Sequence, residues 1–354
     1  MNHNNKTYKV IGLMSGTSLD GLDIAYCEFE LRNGTWIWEI REAQTIEYDS
    51  TTRQRIIDCE ICDAQTFAYN NVWLGHLFGK MTADFIKRHS IEPDFISSHG
   101  QTIFHQPYRL FTSQIADLNA ISAETKCSVI GNFRSLDVAL GGQGAPLVPI
   151  GDRLLFSQYP YCVNLGGFAN VSFEQNGKRI AYDVCPVNLV LNSLAQSIDL
   201  KYDNQGTMAS EGSVNQSLLD NLNALPFYND AKAKSLGKEW VIENIFPLFD
   251  KYKLSIKDTL STFCEHIAMQ ISANIKSHTL ITGGGAYNTY LLSRIKALTP
   301  YQITIPNRTI IDYKEALIFA FLGVLRYEEQ INVLSSVTGA CRDSCSGEIV
   351  CFLK

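Results

Sequence analysis

Lys9 to Glu30 reads KVIGLMSGTSLDGLDIAYCEFE. An apolar run enters a glycine-bounded polar turn, and an alternating apolar segment resumes beyond it, which predicts a strand, a turn and a strand. The turn itself, Gly16 to Asp23 (GTSLDGLD), gathers backbone amides freed by glycine, the hydroxyls of Thr17 and Ser18, and the carboxylates of Asp20 and Asp23. That set suits a polyphosphate with its magnesium ion. A plain hairpin turn accounts for the same residues, since Asp-Gly is a common turn dipeptide. The Walker pattern GxxxxGK[ST] is absent.

The same pattern returns in the second half. Tyr161 to Phe173 reads YCVNLGGFANVSF, again a strand, a glycine turn and a strand, and two such openings suggest a duplicated architecture. Gly166 and Gly167 offer amides to the same phosphates, or simply close a tight hairpin. Farther on, the strand Thr279 to Thr282 enters Gly283, Gly284 and Gly285 before a helix. Amides there could hold a nucleotide at the carboxyl end of a strand. Strands alternating with helices make the chain an α/β protein.

Between these landmarks, Trp36 to Glu47 alternates as a strand, and Thr51 to His89 carries apolar residues at helical spacing, from Phe67 through Leu74, Phe78 and Met81 to Phe85. Two helices are expected there. Asp94 to Ser98 and Ser128 to Phe133 read as short buried strands, each followed by polar residues where α/β sheets put ligands. The glycine- and proline-punctuated stretch Leu140 to Pro149 (LGGQGAPLVP) reads as a hinge. It sets an N-terminal lobe at 1–140 and a C-terminal lobe at 141–354, the last segment being free to pack back on the first lobe. Helices are expected over Asn215 to Ala224, Val241 to Tyr252, Ser255 to Ser277 and Tyr313 to Glu329.

The length of 354 residues predicts about two domains at ~150 residues each. With 45% hydrophobic and 19% charged residues, the composition excludes a disordered or collagen-like chain. The net charge of −6, without a basic run, argues against nucleic acid as the main partner. No apolar stretch approaches the roughly 20 residues of a membrane span, and Met1 to Tyr8 is not a signal peptide, so a soluble cytoplasmic protein is expected. Its ten cysteines are then expected to be mostly reduced and buried. Neither Cys59 with Cys62 nor Cys341 with Cys345 has the repeated spacing of a structural zinc site.

Three polar side chains stand out. Asp183 follows the alternating stretch Arg179 to Tyr182 and precedes a helix, which aims a carboxylate into a cleft or caps that helix. Glu315, opening an apolar helix, is a dipole partner or a pocket-facing group. His99, after a strand, is better read as a satisfied structural histidine than as a metal ligand.

In order and spacing, GTSLDG, NLGGFANVSF and TGGGAYN resemble the phosphate-1, phosphate-2 and adenosine elements of the sugar kinase, actin and heat-shock ATPase superfamily. Within it, the chain is similar to the anhydro-N-acetylmuramic acid kinases through IGLMSGTSLDGLD, SSHGQTIFHQP, FRSLDVALGGQGAPLVP, NLGGFANVSF, GGGAYN and SVTGA. The resemblance implies a two-lobed, actin-like (ribonuclease H-like) fold with an interdomain cleft. It implies a homodimeric enzyme of cell-wall recycling that uses ATP and magnesium to open a 1,6-anhydro ring and phosphorylate O6. Carried over by motif, Gly16, Thr17, Ser18, Leu19, Asp20, Gly21, Leu22 and Asp23 would hold the ATP phosphates, with Asp20 near the magnesium. Gly166, Gly167, Gly283, Gly284 and Gly285 would contact phosphate and adenosine. Asp183 would be the general base, while Arg134 and Glu315 would face the sugar.

One departure bears on the substrate. The family's Thr-Gly-Pro-Gly-Asn after the catalytic aspartate is here Val184-Cys185-Pro186-Val187-Asn188. Losing two glycines narrows the backbone conformations open to the turn and puts Val187 where a ligand could have approached. A kinase of the same fold acting on another sugar is the alternative, and a catalytically dead, actin-like assembly protein is the alternative outside enzymes. An exposed Cys185 thiol would sensitise the site to oxidation.

Overall fold

A computed structural model describes residues 6–229 and 235–353. In chain order the strands are β1 (Thr7–Ser15), β2 (Gly21–Arg32), β3 (Thr35–Glu47), β4 (Phe95–Gln106), β5 (Phe111–Ile115), β6 (Val129–Gly131), β7 (Tyr161–Leu165), β8 (Phe168–Gln175), β9 (Lys178–Pro186), β10 (Thr279–Thr282), β11 (Ile303–Thr304) and β12 (Glu348–Val350). The chain divides into two compact units, Met1–Leu155 with Tyr313–Lys354, and Phe156–Asp312. The division near Leu140 expected from the glycine-rich stretch therefore falls after Leu155. Leu140 to Pro149 is tied into the first unit by Gly142 N donating to Asp137 O and Gln143 N to Thr338 O. The helix Val148–Leu155 starts inside it.

In the first unit the sheet order is β12-β6-β4-β1-β2-β3, with β5 on β4. β1 pairs antiparallel with β2, and β2 with β3, whereas β4 lies parallel to β1, and β6 to β4. β1 is buried on both faces from Val10 onward because it is central, while β3 alternates because it is an edge. The helix Ala64–His89 starts at Asp63, whose carboxylate accepts from Gln65 N and Thr66 N, and ends at Ser90 in the left-handed region. Its Leu74, Phe78 and Phe85 pack with Ile11, Leu13 and Ile96 in one core. A buried ion pair, Lys314 Nζ to Asp152 Oδ1 at 2.7 Å, joins the helix Val148–Leu155 to the helix Arg308–Tyr327.

The second unit repeats the scheme in the order β11-β10-β7-β8-β9. β7, β8 and β9 form an antiparallel meander, and β10 and β11 extend it in parallel from β7. The buried helix Ile256–Asn274 backs this sheet, with Ser255 Oγ accepting from Asp258 N at its start. The run from Val241 to Tyr252 is two helices, Lys238–Asn244 and Phe246–Tyr252, because Pro247 has no N–H for a continuous ladder.

Within that core His266 is fully buried, its Nδ1–H donating to Asn223 Oδ1 at 2.7 Å and its Nε2 accepting from Tyr228 OH at 3.0 Å. Burial holds its pKa down to about 3. The folded chain thus keeps it neutral while the unfolded chain protonates it below about pH 6.5. Its contribution is present above that value and is lost as pH falls, by about 2 kcal/mol at pH 5. A thermal midpoint lower at pH 5 than at pH 7 is expected, with the gap narrowed in His266→Gln; an unchanged gap would show that His266 is not the group responsible.

All ten cysteines are free thiols, six of them buried. No helix among the described residues is long and apolar enough to cross a membrane.

Candidate functional site

The first glycine turn connects β1 to β2. Leu19 takes a positive φ of 54° and donates its N–H to Gly16 O, which closes the turn and leaves Thr17, Ser18 and Asp20 exposed. Gly21 lies where a Cβ would stand 2.4 Å from Ile46 O, so the close approach of β3 demands glycine there. The Leu22 side chain belongs to the core, so only its backbone is available to a ligand. Asp23 accepts from Thr45 Oγ1 at 2.6 Å. Beneath the turn, buried Ser15 donates to Gln101 Oε1 at 2.5 Å and shares a hydrogen bond with Tyr48 OH at 2.7 Å. This network fixes the end of β1 against β4.

β4 runs on to Gln106, well past the expected end at Ser98. Its Ser97, Ser98, His99 and Gln101 are polar yet buried, so apolar periodicity could not mark them. His99 is locked as one tautomer. Its Nδ1–H donates to Gly100 O at 2.9 Å, and its Nε2 accepts from Arg134 Nε at 3.0 Å and Nη2 at 2.8 Å. Burial and the neighbouring guanidinium pull its pKa down to about 3. Desolvation lowers Arg134 to about 10, which leaves it charged at neutral pH, and the Glu315 carboxylate opposes that shift. Arg134 Nη1 donates to Gly144 O at 2.7 Å.

Glu315 does not open its helix, which starts at Arg308, so it lies beyond the first turn where a dipole partner acts. The pocket-facing alternative remains. Its residue is exposed, yet crowding by neighbouring atoms raises its carboxyl pKa, against the pull of Arg134 and Lys314.

In the second unit, Asp183 lies inside β9 rather than at a helix start. The following helix, Asn188–Gln196, begins after Val187 with no side-chain cap, which removes the N-cap reading. Asp183 pairs with Asn170 while Cys185 pairs with Ala169, so Val184 is an extra residue in a β-bulge. Bulges re-aim the side chains beside them. Desolvation raises the Asp183 pKa, partly opposed by Leu236 N–H donating to its Oδ2 at 2.8 Å and Ser235 Oγ at 3.4 Å. Nothing in the sequence around Leu236 signals this contact. Cys185 is fully buried and its thiol pKa is pushed up by desolvation, so it is an inert thiol.

Gly166 and Gly167 form the β7–β8 turn. The Gly166 N–H is taken by Phe168 O, while both glycine carbonyls accept amides from Val187, Asn188 and Leu189. Val187, at one of the two positions where the resemblance puts glycine, thus donates one of the turn's own hydrogen bonds through its amide. Asn188 Nδ2 also donates to Leu165 O at 3.1 Å. It lines a cavity of about 740 Å³ with Gly284, Gly285, Tyr202, Tyr287 and Arg308. That volume fits a small-molecule ligand. Two tyrosine rings and a guanidinium suit a flat heterocycle carrying phosphates. Tyr202, Pro306 and Arg308 lie outside any glycine motif, and sequence reading missed them. No group of three or more His, Cys, Asp or Glu gathers among the described residues.

A family model described as anhydro-N-acetylmuramic acid kinase matches residues 8–351. The chain is 31% identical to an anhydro-N-acetylmuramic acid kinase of Vibrio vulnificus strain YJ016, covering 94% of this chain and 95% of the relative. To the kinase of the same description in Pasteurella multocida it is 34% identical, covering 94% of each chain. To that of Clostridioides difficile it is 34% identical, covering 96% of this chain and 97% of the relative.

Proposed function

The chain belongs to the anhydro-N-acetylmuramic acid kinase family, and from that premise we propose how its residues carry the reaction. It is an ATP-dependent phosphotransferase of peptidoglycan recycling. It opens the 1,6-anhydro ring of 1,6-anhydro-N-acetylmuramic acid with water and phosphorylates O6, giving N-acetylmuramic acid 6-phosphate and ADP. The match over residues 8–351 is the observation that carries this assignment.

The two units are read as the lobes of an actin-like, ribonuclease H-like ATPase with an interdomain cleft. The repeated sheet scheme, an antiparallel meander continued by two parallel strands, supports that reading. A glycine turn follows the first strand of each meander, as two phosphate-binding elements require. The Gly284–Tyr287 wall of the second unit's cavity is taken to receive the adenosine.

Asp183 is the general base. It removes a proton from water as the water oxygen bonds to the anomeric carbon, the bond from that carbon to O6 breaks, and O6 takes the γ-phosphoryl group as ADP leaves. The departing oxygen receives phosphorus in place of a proton, so no separate general acid is needed. A raised carboxyl pKa is what a base at neutral pH requires, and desolvation supplies it. Arg134, charged and partly buried, suits the lactyl carboxylate of the sugar, and Glu315 its hydroxyls.

Magnesium, when bound with ATP, would supply positive charge to offset that on the transferring phosphoryl group. The residues present would fit an ion held mainly by phosphate oxygens and water: Asp20 and Asp23 with the hydroxyls of Thr17 and Ser18 are oxygen donors, and no cluster of three or more His, Cys, Asp or Glu gathers among the described residues. Asp20, exposed at the turn, would reach it through water. Association as a homodimer is part of the same reading.

The test is coupled ADP release with magnesium and purified 1,6-anhydro-N-acetylmuramic acid, with the product identified by mass. A product heavier than the substrate by a phosphoryl group plus one water is expected. ADP release with other sugars alone would redirect the reading to a different substrate.

A further inference from the structure

Two strings carry no role so far, the loop Gly141 to Gly144 and Ser336 to Ala340 (SVTGA). The first unit brings them together around one carboxylate. Asp137 is fully buried; its Oδ1 accepts from Thr338 Oγ1 at 2.7 Å and its Oδ2 from Gly144 N at 2.7 Å. A Cβ on Gly142 would stand 2.2 Å from Asp137 Oδ2, so the loop wraps the carboxylate as closely as glycine allows. Thr338 O accepts from Gln143 N at 2.8 Å, and Leu140 O accepts from Cys341 N at 3.1 Å. The loop is thus pinned between Asp137 and the SVTGA segment.

The other end of this strut is Arg134. Gly144, whose amide the carboxylate holds, turns at a positive φ of 66° and offers its carbonyl to Arg134 Nη1 at 2.7 Å. His99 Nε2 accepts from Nε and Nη2 on the other edge. Gly144 O and His99 together occupy three of the guanidinium's five N–H donors, which leaves two for a ligand.

We propose that Thr338 and Asp137 are positioning residues for the sugar: through Gly144 they hold Arg134 where its two remaining donors meet the substrate carboxylate. The inference rests on the reading of Arg134 as substrate-facing. A bidentate pair between guanidinium and carboxylate tolerates little displacement. Movement of about 1 Å at such a group costs up to about a hundredfold in rate. The threonine hydroxyl donates to a fully buried carboxylate, and leaving that acceptor unpaired is costly, so its removal frees the loop.

The experiment compares Thr338→Val, Thr338→Ser, Arg134→Ala and the Thr338→Val/Arg134→Ala double variant, with KM measured separately for 1,6-anhydro-N-acetylmuramic acid and for ATP. Thr338→Val is expected to raise the sugar KM about tenfold, to leave the ATP KM unchanged, and to be rescued by Thr338→Ser. In the Arg134→Ala background it is expected to add nothing, because the group it positions is gone. Equal rises in both KM values, or additive losses in the double variant, would overturn the inference and leave Thr338 a merely structural residue. If Arg134→Ala leaves the sugar KM unchanged, the substrate-facing reading fails and the inference with it. If Arg134→Ala raises it and Thr338→Val does not, the inference alone fails. Thr338→Ala serves the same comparison should valine at this buried position prevent folding.

Discussion

Asp183→Asn is expected to lower kcat for ring-opening phosphorylation by about a thousandfold, the effect of removing a positioned general base. The substitution keeps the shape of the side chain, and the asparagine oxygen still accepts from Leu236 N–H, which now donates to Asp183 Oδ2 at 2.8 Å. Binding of both substrates should therefore survive, with KM values changed little. The pH profile gives an independent check. Desolvation raises the Asp183 pKa, and a base works only when deprotonated, so activity should rise with pH along a limb lying above the ordinary carboxylate range. That limb should vanish in the variant, whose residual rate has no group to titrate at this position. A variant retaining most of the wild-type rate, or the same acid limb, would remove Asp183 from the role of base.

How far the site was legible in the sequence depended on whether a residue's role was written in its neighbours. The glycine turns were legible because glycine, hydroxyl and carboxylate side chains cluster within a few positions, and the turn from Gly16 to Asp23 does connect two paired strands. Asp183 was legible as a candidate but not in its setting. The bulge at Val184 depends on the register with β8, and the amide of Leu236 arrives from far along the chain. The alternation from Arg179 to Tyr182 ended the predicted strand four residues too soon, since β9 runs to Pro186. For His99 the sequence offered a lone histidine, and the satisfied structural reading describes its Nδ1; its Nε2 contact with Arg134 is a tertiary fact. Leu140 to Pro149 read as a hinge because glycine and proline break periodicity. The same glycines let the loop close on a buried carboxylate, so the composition of a flexible segment served a fixed one. The last long helix starts at Arg308, where Asn307 Oδ1 accepts from Ile310 N as a cap that the apolar run alone did not reveal, and this start moved Glu315 away from the helix end.

The three successive glycines of the second unit are expected to separate fold from nucleotide binding, because each faces different surroundings. Gly283 has a φ of 83°, and a Cβ there would stand 2.6 Å from Asn164 Oδ1 and 2.9 Å from the Leu165 backbone. A Cβ on Gly285 would meet Leu165 Cβ at 2.7 Å. Both positions are glycine because the end of β7 approaches them. Gly284 is different: a Cβ there meets nothing nearer than Asn188 Nδ2 at 3.8 Å, and the residue lines the cavity of about 740 Å³. Gly284→Val should therefore fold with a thermal midpoint close to wild type while its added methyl groups enter the cavity. The ATP KM is expected to rise about a hundredfold, the upper range for a few misplaced methyl groups in a shaped pocket, with the sugar KM unchanged. Gly283→Ala should show the opposite pattern, a lowered thermal midpoint from backbone strain and close contact. An unaltered ATP KM in a well-folded Gly284→Val protein would mean that the nucleotide does not use this cavity. A rise confined to ATP would place the nucleotide in the cavity lined by Gly284 by a measurement independent of any resemblance.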